Sequence, residues 1–144
     1  MQQIKFIECP SEVPIVKFTL GNGAEGFGVV DTASETTVFD KDFVKENKDA
    51  FHIKLSDEMT NVVGINNSKP VQIRTVVTKA TLDGTGYSME GMAFEVRHLS
   101  GHFKTMYDMD LNIELIIGSD FLKQYNAIIN FEEKNLVLDD LSGQ

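Results

Sequence analysis

The chain has 144 residues, 42% hydrophobic and 24% charged, with 22 acids against 13 basic residues and a formal net charge of -9. That fits one globular domain spanning residues 1–144, long enough for a real core and too short for two. The acidity repels a phosphate backbone, no apolar run reaches membrane-spanning length, and the one cysteine, Cys9, excludes a disulfide within the chain, so neither nucleic acid nor membrane is an expected partner.

The N-terminus lacks the charged, apolar and small-residue succession of a secretory signal, which makes a cytoplasmic location the expectation over a secreted one. Residues 13–20 alternate apolar with polar side chains and run into Gly21-Asn22-Gly23, a turn built from residues that reach positive φ cheaply. The pattern predicts a hairpin of residues 13–20 with 26–31. Residues 40–50 are polar and predict a short helix or an irregular loop. A second hairpin is expected between residues 71–82 and 87–98, around Asp83-Gly84-Thr85-Gly86. Leu115-Ile116-Ile117-Gly118 reads as a buried strand ending in glycine. It launches a short helix over residues 119–125, with Ser119 as N-cap, Asp120 in the first turn and Phe121, Leu122 and Tyr125 on one side. A third hairpin pairs residues 127–131 with 135–138. Short strands with regular turns point to an all-β sandwich or barrel.

Within this frame, Val29 and Val30 drive a buried strand into Asp31, which is followed by Thr32, Ala33 and Ser34. A carboxylate entering low-dielectric surroundings has to be paired, hydrogen-bonded or protonated. The hydroxyls of Thr32 and Ser34 are near enough to orient it. Taken alone, Asp-Thr is equally the signature of a turn acid capping a strand end.

Together with Ile116-Ile117-Gly118-Ser119-Asp120-Phe121-Leu122 and Tyr125-Asn126-Ala127-Ile128-Ile129-Asn130-Phe131, the run Val29-Val30-Asp31-Thr32-Ala33-Ser34 resembles the retropepsin-like aspartic proteases. These are the single-domain, pepsin-related proteases of retroviral type. The resemblance covers roughly residues 13–138. It implies a closed all-β barrel with one short C-terminal helix, and an aspartic endopeptidase without a cofactor or metal. Two carboxylates facing each other share one proton, because like charges in contact cannot both ionise. This chain carries one such loop, so the resemblance implies a homodimer with Asp31 from each copy, acting on an extended peptide or protein.

By the same resemblance, Thr32 bonds across the dimer axis and Ser34 bonds the outer carboxylate oxygen of Asp31. Ile116, Ile117 and Gly118 support the active loop from behind. Gly64, Ile65, Asn66 and Asn67 correspond to the substrate-covering flap, although a plain surface hairpin has the same composition. Ala33 departs from the glycine usual in the family, a methyl that costs little at negative φ. A competing expectation is therefore a catalytically inactive peptide-binding or dimerisation module on the same fold. His98 and His102 flank Ser100-Gly101, which argues for a turn and against a helical metal pair. Cys9 reads as a buried or incidental thiol, and Asp108 and Asp110 as acids of a solvated loop, with weak cation binding as the alternative reading of the two near acids.

Overall fold

The computed structural model describes residues 2–8, 13–61, 70–82, 85–93 and 111–139. Strand β1 spans Gln2–Lys5, β2 Ile15–Leu20, β3 Glu25–Val30 and β4 Val38–Phe39. Helix α1 (Lys41–Glu46) and a 3-10 turn (Lys48–Ala50) follow, then β5 (His52–Asn61), β6 (Pro70–Leu82), β7 (Thr85–Ala93) and β8 (Ile113–Ile117). Helix α2 (Ser119–Gln124) leads to β9 (Ile128–Asn130) and β10 (Asn135–Leu138).

The first hairpin forms where the alternation placed it. β2 and β3 pair antiparallel from Ile15↔Val29 to Thr19↔Glu25. Gly23 closes the turn at φ +90, in the left-handed region, and the Asn22 side chain accepts the Ala24 N–H at 3.0 Å. The second hairpin joins β6 to β7, and the third joins β9 to β10. Residues 94–98 of the expected second hairpin lie outside the described residues.

The main sheet has the order β2-β3-β8-β4-β7-β6-β5, and β2 pairs in addition with β6 through Phe18↔Leu82, Thr19↔Thr81 and Leu20↔Ala80. That second pairing belongs to a curled, half-barrel sheet in a mostly β molecule. A separate sheet has the order β1-β10-β9. The strand that matters most is β8. It lies parallel to β3 (Val29↔Ile116, Val30↔Ile117) and antiparallel to β4 (Val38↔Ile116, Phe39↔Leu115). It thus threads between two segments that flank residues 31–37 in the chain.

The core gathers Val16, Phe18, Leu20, Val30, Phe39, Leu115, Ile117, Phe121, Leu122, Tyr125 and Leu136. Each large apolar side chain so buried contributes about 1.5–3 kcal/mol. Edge-to-face contacts add direction: Phe18 meets Phe43 at 5.7 Å and 84°, and Tyr87 meets Tyr125 at 5.0 Å and 80°. Helix α1 joins this core through Phe43 and Val44, while the Asp40 carboxylate caps it by accepting the Phe43 N–H at 3.1 Å.

Helix α2 begins differently from the expectation. Its N-cap is Gly118, with no side-chain cap bond, and Ser119 is already helical. The reason is local: the Ser119 N–H donates to the Ser34 carbonyl at 2.7 Å, so the preceding loop satisfies the helix end.

Candidate active site

Asp31 leaves the C-terminal end of β3 half-buried, with its N–H donating to the Ile117 carbonyl at 3.0 Å. Its own turn then folds back on it. Asp31 Oδ1 accepts the Ala33 N–H at 3.0 Å, and its carbonyl accepts the Ser34 N–H at 3.2 Å. An aspartate is suited to this, because its short side chain mimics a backbone acceptor two residues on. Thr32 and Ala33 are exposed at the apex. Among the described non-glycine residues only Asn126 and Lys134 have positive φ, so the Ala33 methyl does not strain the loop.

Ser34 does not do what its spacing suggested. Its hydroxyl donates to the Thr36 carbonyl at 2.7 Å and leaves the Asp31 carboxylate to the Ala33 N–H. The serine hydroxyl holds the shape of the loop and makes no bond to the Asp31 carboxylate.

Behind the loop, β8 passes at backbone contact distance. A Cβ placed on Gly118 would lie 2.6 Å from the Thr36 carbonyl carbon and oxygen and 2.9 Å from the Ser34 carbonyl oxygen. Gly118 is thus a close-approach glycine. Ile116 and Ile117, buried beside it, anchor the crossing strand.

Two residues assigned no part in the site from the sequence complete the cradle. Thr37 is fully buried; its Oγ1 accepts the Gly118 N–H at 3.1 Å and donates to Asp120 Oδ1 at 2.7 Å. Asp120 Oδ2 accepts the Thr37 N–H at 3.1 Å, and Oδ1 also accepts the Phe121 N–H at 2.7 Å. In sequence, Asp120 reads only as a first-turn helix acid, and nothing ties it to a threonine 83 positions earlier.

One further acid sits close to this frame. β8 bulges at Glu114, since Phe27 pairs with Ile113 and Gly28 with Leu115. Burial first, then the charges of Asp40, Glu46 and Asp42, push the Glu114 carboxyl up from 4.5 to about 7.

The expected flap residues Gly64, Ile65, Asn66 and Asn67 lie outside the described residues, as do Cys9, His98, His102, Asp108 and Asp110. Among the described residues, no group of three or more His, Cys, Asp or Glu side chains is placed to hold a metal ion. Two open clefts, of about 500 and about 620 Å³, both border Gly21 and Lys79, at the opposite end of β3 from Asp31.

No protein-family model matches the chain, and no curated protein sequence does. Solved structures do. The retroviral protease-like domain of Ddi1 from Leishmania major superposes with a TM-score of 0.56 at 17% identity, covering 88% of this chain and 90% of that one. A retropepsin-like aspartic protease from Rickettsia conorii gives 0.56 at 12% identity, over 95% of this chain and 88% of that one. The EIAV protease, solved in complex with an inhibitor, gives 0.54 at 13% identity, over 82% and 92% of the two chains. With β8 threaded between β3 and β4 behind a half-buried aspartate turn, this chain has the retropepsin-like fold.

Proposed function

We propose that the chain is an aspartic endopeptidase that works as a homodimer, with Asp31 of each copy forming the catalytic pair. One observation carries the reading: Asp31 stands at the end of β3 in a turn braced by the Gly118 crossing, in a fold shared with aspartic proteases. The ionised carboxylate of the pair takes a proton from water, and its protonated mate donates to the scissile carbonyl oxygen. The two titrations belong to the pair.

A second copy finds a surface suited to it. Ile128 on β9 and Phe131 just beyond it are 53% and 64% exposed, and β9 is an edge of the three-stranded sheet. In this reading Thr32, exposed at the apex of the turn, bonds its equivalent across the axis. The pairing of β2 with β6 supports the reading of the curled sheet as a closed barrel. In this reading substrate binds as an added strand, and the segment joining the paired residues Asn61 and Pro70, which carries Gly64, Ile65, Asn66 and Asn67, is assigned the role of flap.

Ala33 favours one competing reading, a module that keeps the fold and binds without cutting, because its exposed methyl stands where the family has glycine. The test is incubation of wild type and Asp31→Asn with a peptide library from acidic to neutral pH. Cleavage by the wild type alone supports the peptidase. Cleavage that survives in Asp31→Asn rules out the mechanism, and binding without cleavage by the wild type selects the module.

A further inference from the structure

We infer that Asp120 is a positioning residue: clamped on the backbone and hydroxyl of Thr37, its carboxylate sets the orientation of the Asp31 loop. The inference rests on the peptidase reading of Asp31.

The chain of donors has a fixed polarity. The Gly118 N–H occupies a lone pair of Thr37 Oγ1, and the Thr37 hydroxyl proton goes to Asp120 Oδ1. The Thr37 N–H points at Oδ2, and the Phe121 N–H at Oδ1. Each neighbour presents a donor, so the group between them has to accept on both oxygens, which a carboxylate does and an amide does not. Thr37 directly precedes β4, and Asp31 directly follows β3. Both ends of the 31–37 loop are therefore tied to the β8–α2 segment: Asp31 through the Ile117 carbonyl, Ser34 through the Ser119 N–H, and Thr37 through Asp120. Thr37 is fully buried, while Asp120 is exposed. Truncating Asp120 therefore leaves no apolar cavity, and its loss is felt through the loop.

The position of a reacting carboxylate affects turnover more than it affects the grip on distant parts of a substrate. Asp120→Ala is expected to lower kcat about ten- to a hundredfold with KM within about twofold. Asp120→Asn keeps acceptors for the Thr37 hydroxyl and the Phe121 N–H but turns an N–H group toward the Thr37 N–H, so it falls between wild type and alanine. Thr37→Ser, which keeps both donors, stays near wild type. Thr37→Val and Asp120→Ala combined lose little more than the worse of the two alone, since both cut one link.

The experiment is this variant series measured for kcat, for KM and for amide hydrogen exchange of residues 33–37 against the β1-β10-β9 sheet. The clamp is upheld by exchange that speeds up in the loop, in the order alanine, asparagine, serine, with the sheet unchanged and kcat following the same order. It is overturned by loop exchange that is the same in all variants, or by Asp120→Asn behaving as Asp120→Ala. If the wild type cuts nothing while the graded exchange is seen, the peptidase reading falls and the clamp on the loop stands.

Discussion

Gly118 runs so close beneath Thr36 that a Cβ on it would come within 2.6 Å of the Thr36 carbonyl carbon and oxygen. Its backbone, at φ -91 and ψ 179, is open to any residue, so space alone demands glycine there. Both contacted atoms are main chain and cannot swing aside. Gly118→Ala should cost about 2–3 kcal/mol of stability, as overpacking against fixed atoms does. The urea midpoint measures it. Gly86→Ala, where a Cβ meets nothing within 4 Å, is the control and should sit within about 0.5 kcal/mol of wild type.

The exposed apolar pair at the β9 edge makes a separate expectation. Replacing Ile128 or Phe131 by serine removes apolar area without touching the core, since both stand more than half exposed in the single chain. Each change should raise the dimer dissociation constant about tenfold, equivalent to about 1.4 kcal/mol, while the thermal midpoint of the dissociated chain holds. Sedimentation across a concentration series reads the constant. Unaltered association would move the interface elsewhere.

Ala33→Gly separates the peptidase from the binding module. The loop is unstrained with alanine, so glycine should lower stability by about 0.5–1 kcal/mol through the freedom it gives the unfolded chain. Peptide hydrolysis should change by less than about threefold, a difference worth well under 1 kcal/mol. Activity that arises only in the glycine variant would instead mean that the methyl blocks substrate.

Glu114 makes stability depend on pH near neutrality. Its folded pKa, about 7, is raised above the ordinary 4.5 by burial and then by Asp40, Glu46 and Asp42. The folded chain therefore holds this proton more tightly than the unfolded one. The stability it contributes is complete below pH 4.5 and is lost as the pH rises through about 7. The unscreened shift corresponds to ~3 kcal/mol, and solvent around a half-buried carboxyl reduces that to about 1 kcal/mol. Glu114→Gln should match wild type at pH 4.5 and exceed it by about that amount at pH 8, measured by denaturant unfolding at the two pH values.

The hairpins were legible because turn chemistry and period-two alternation are local. Gly21-Asn22-Gly23 and the β2 pattern are enough to place β2 against β3. Strands β1, β4 and β5 were not. β1 offers one buried side chain, Ile4, and β4 is two residues long. β4 is a strand because Val38 pairs with both Met92 and Ile116, partners far along the chain. The site divides in the same way. Asp31 and Gly118 announce themselves through an acid after a buried strand and a glycine at a strand end. Thr37 and Asp120 look like an ordinary threonine and an ordinary helix acid until β8 brings them together. The role expected of Ser34 failed for a related reason: spacing put its hydroxyl near Asp31, but the turn aims it at Thr36.

A catalytic centre assembled from two chains is open to a subunit-mixing experiment. Wild type and Asp31→Asn chains are refolded together at several ratios, and peptide hydrolysis is measured per wild-type chain. That specific rate is expected to fall in proportion to the wild-type fraction, because each mixed dimer lacks one acid of the pair. A specific rate that stays constant as the mutant is added would show that a single chain suffices, and would contradict the shared centre.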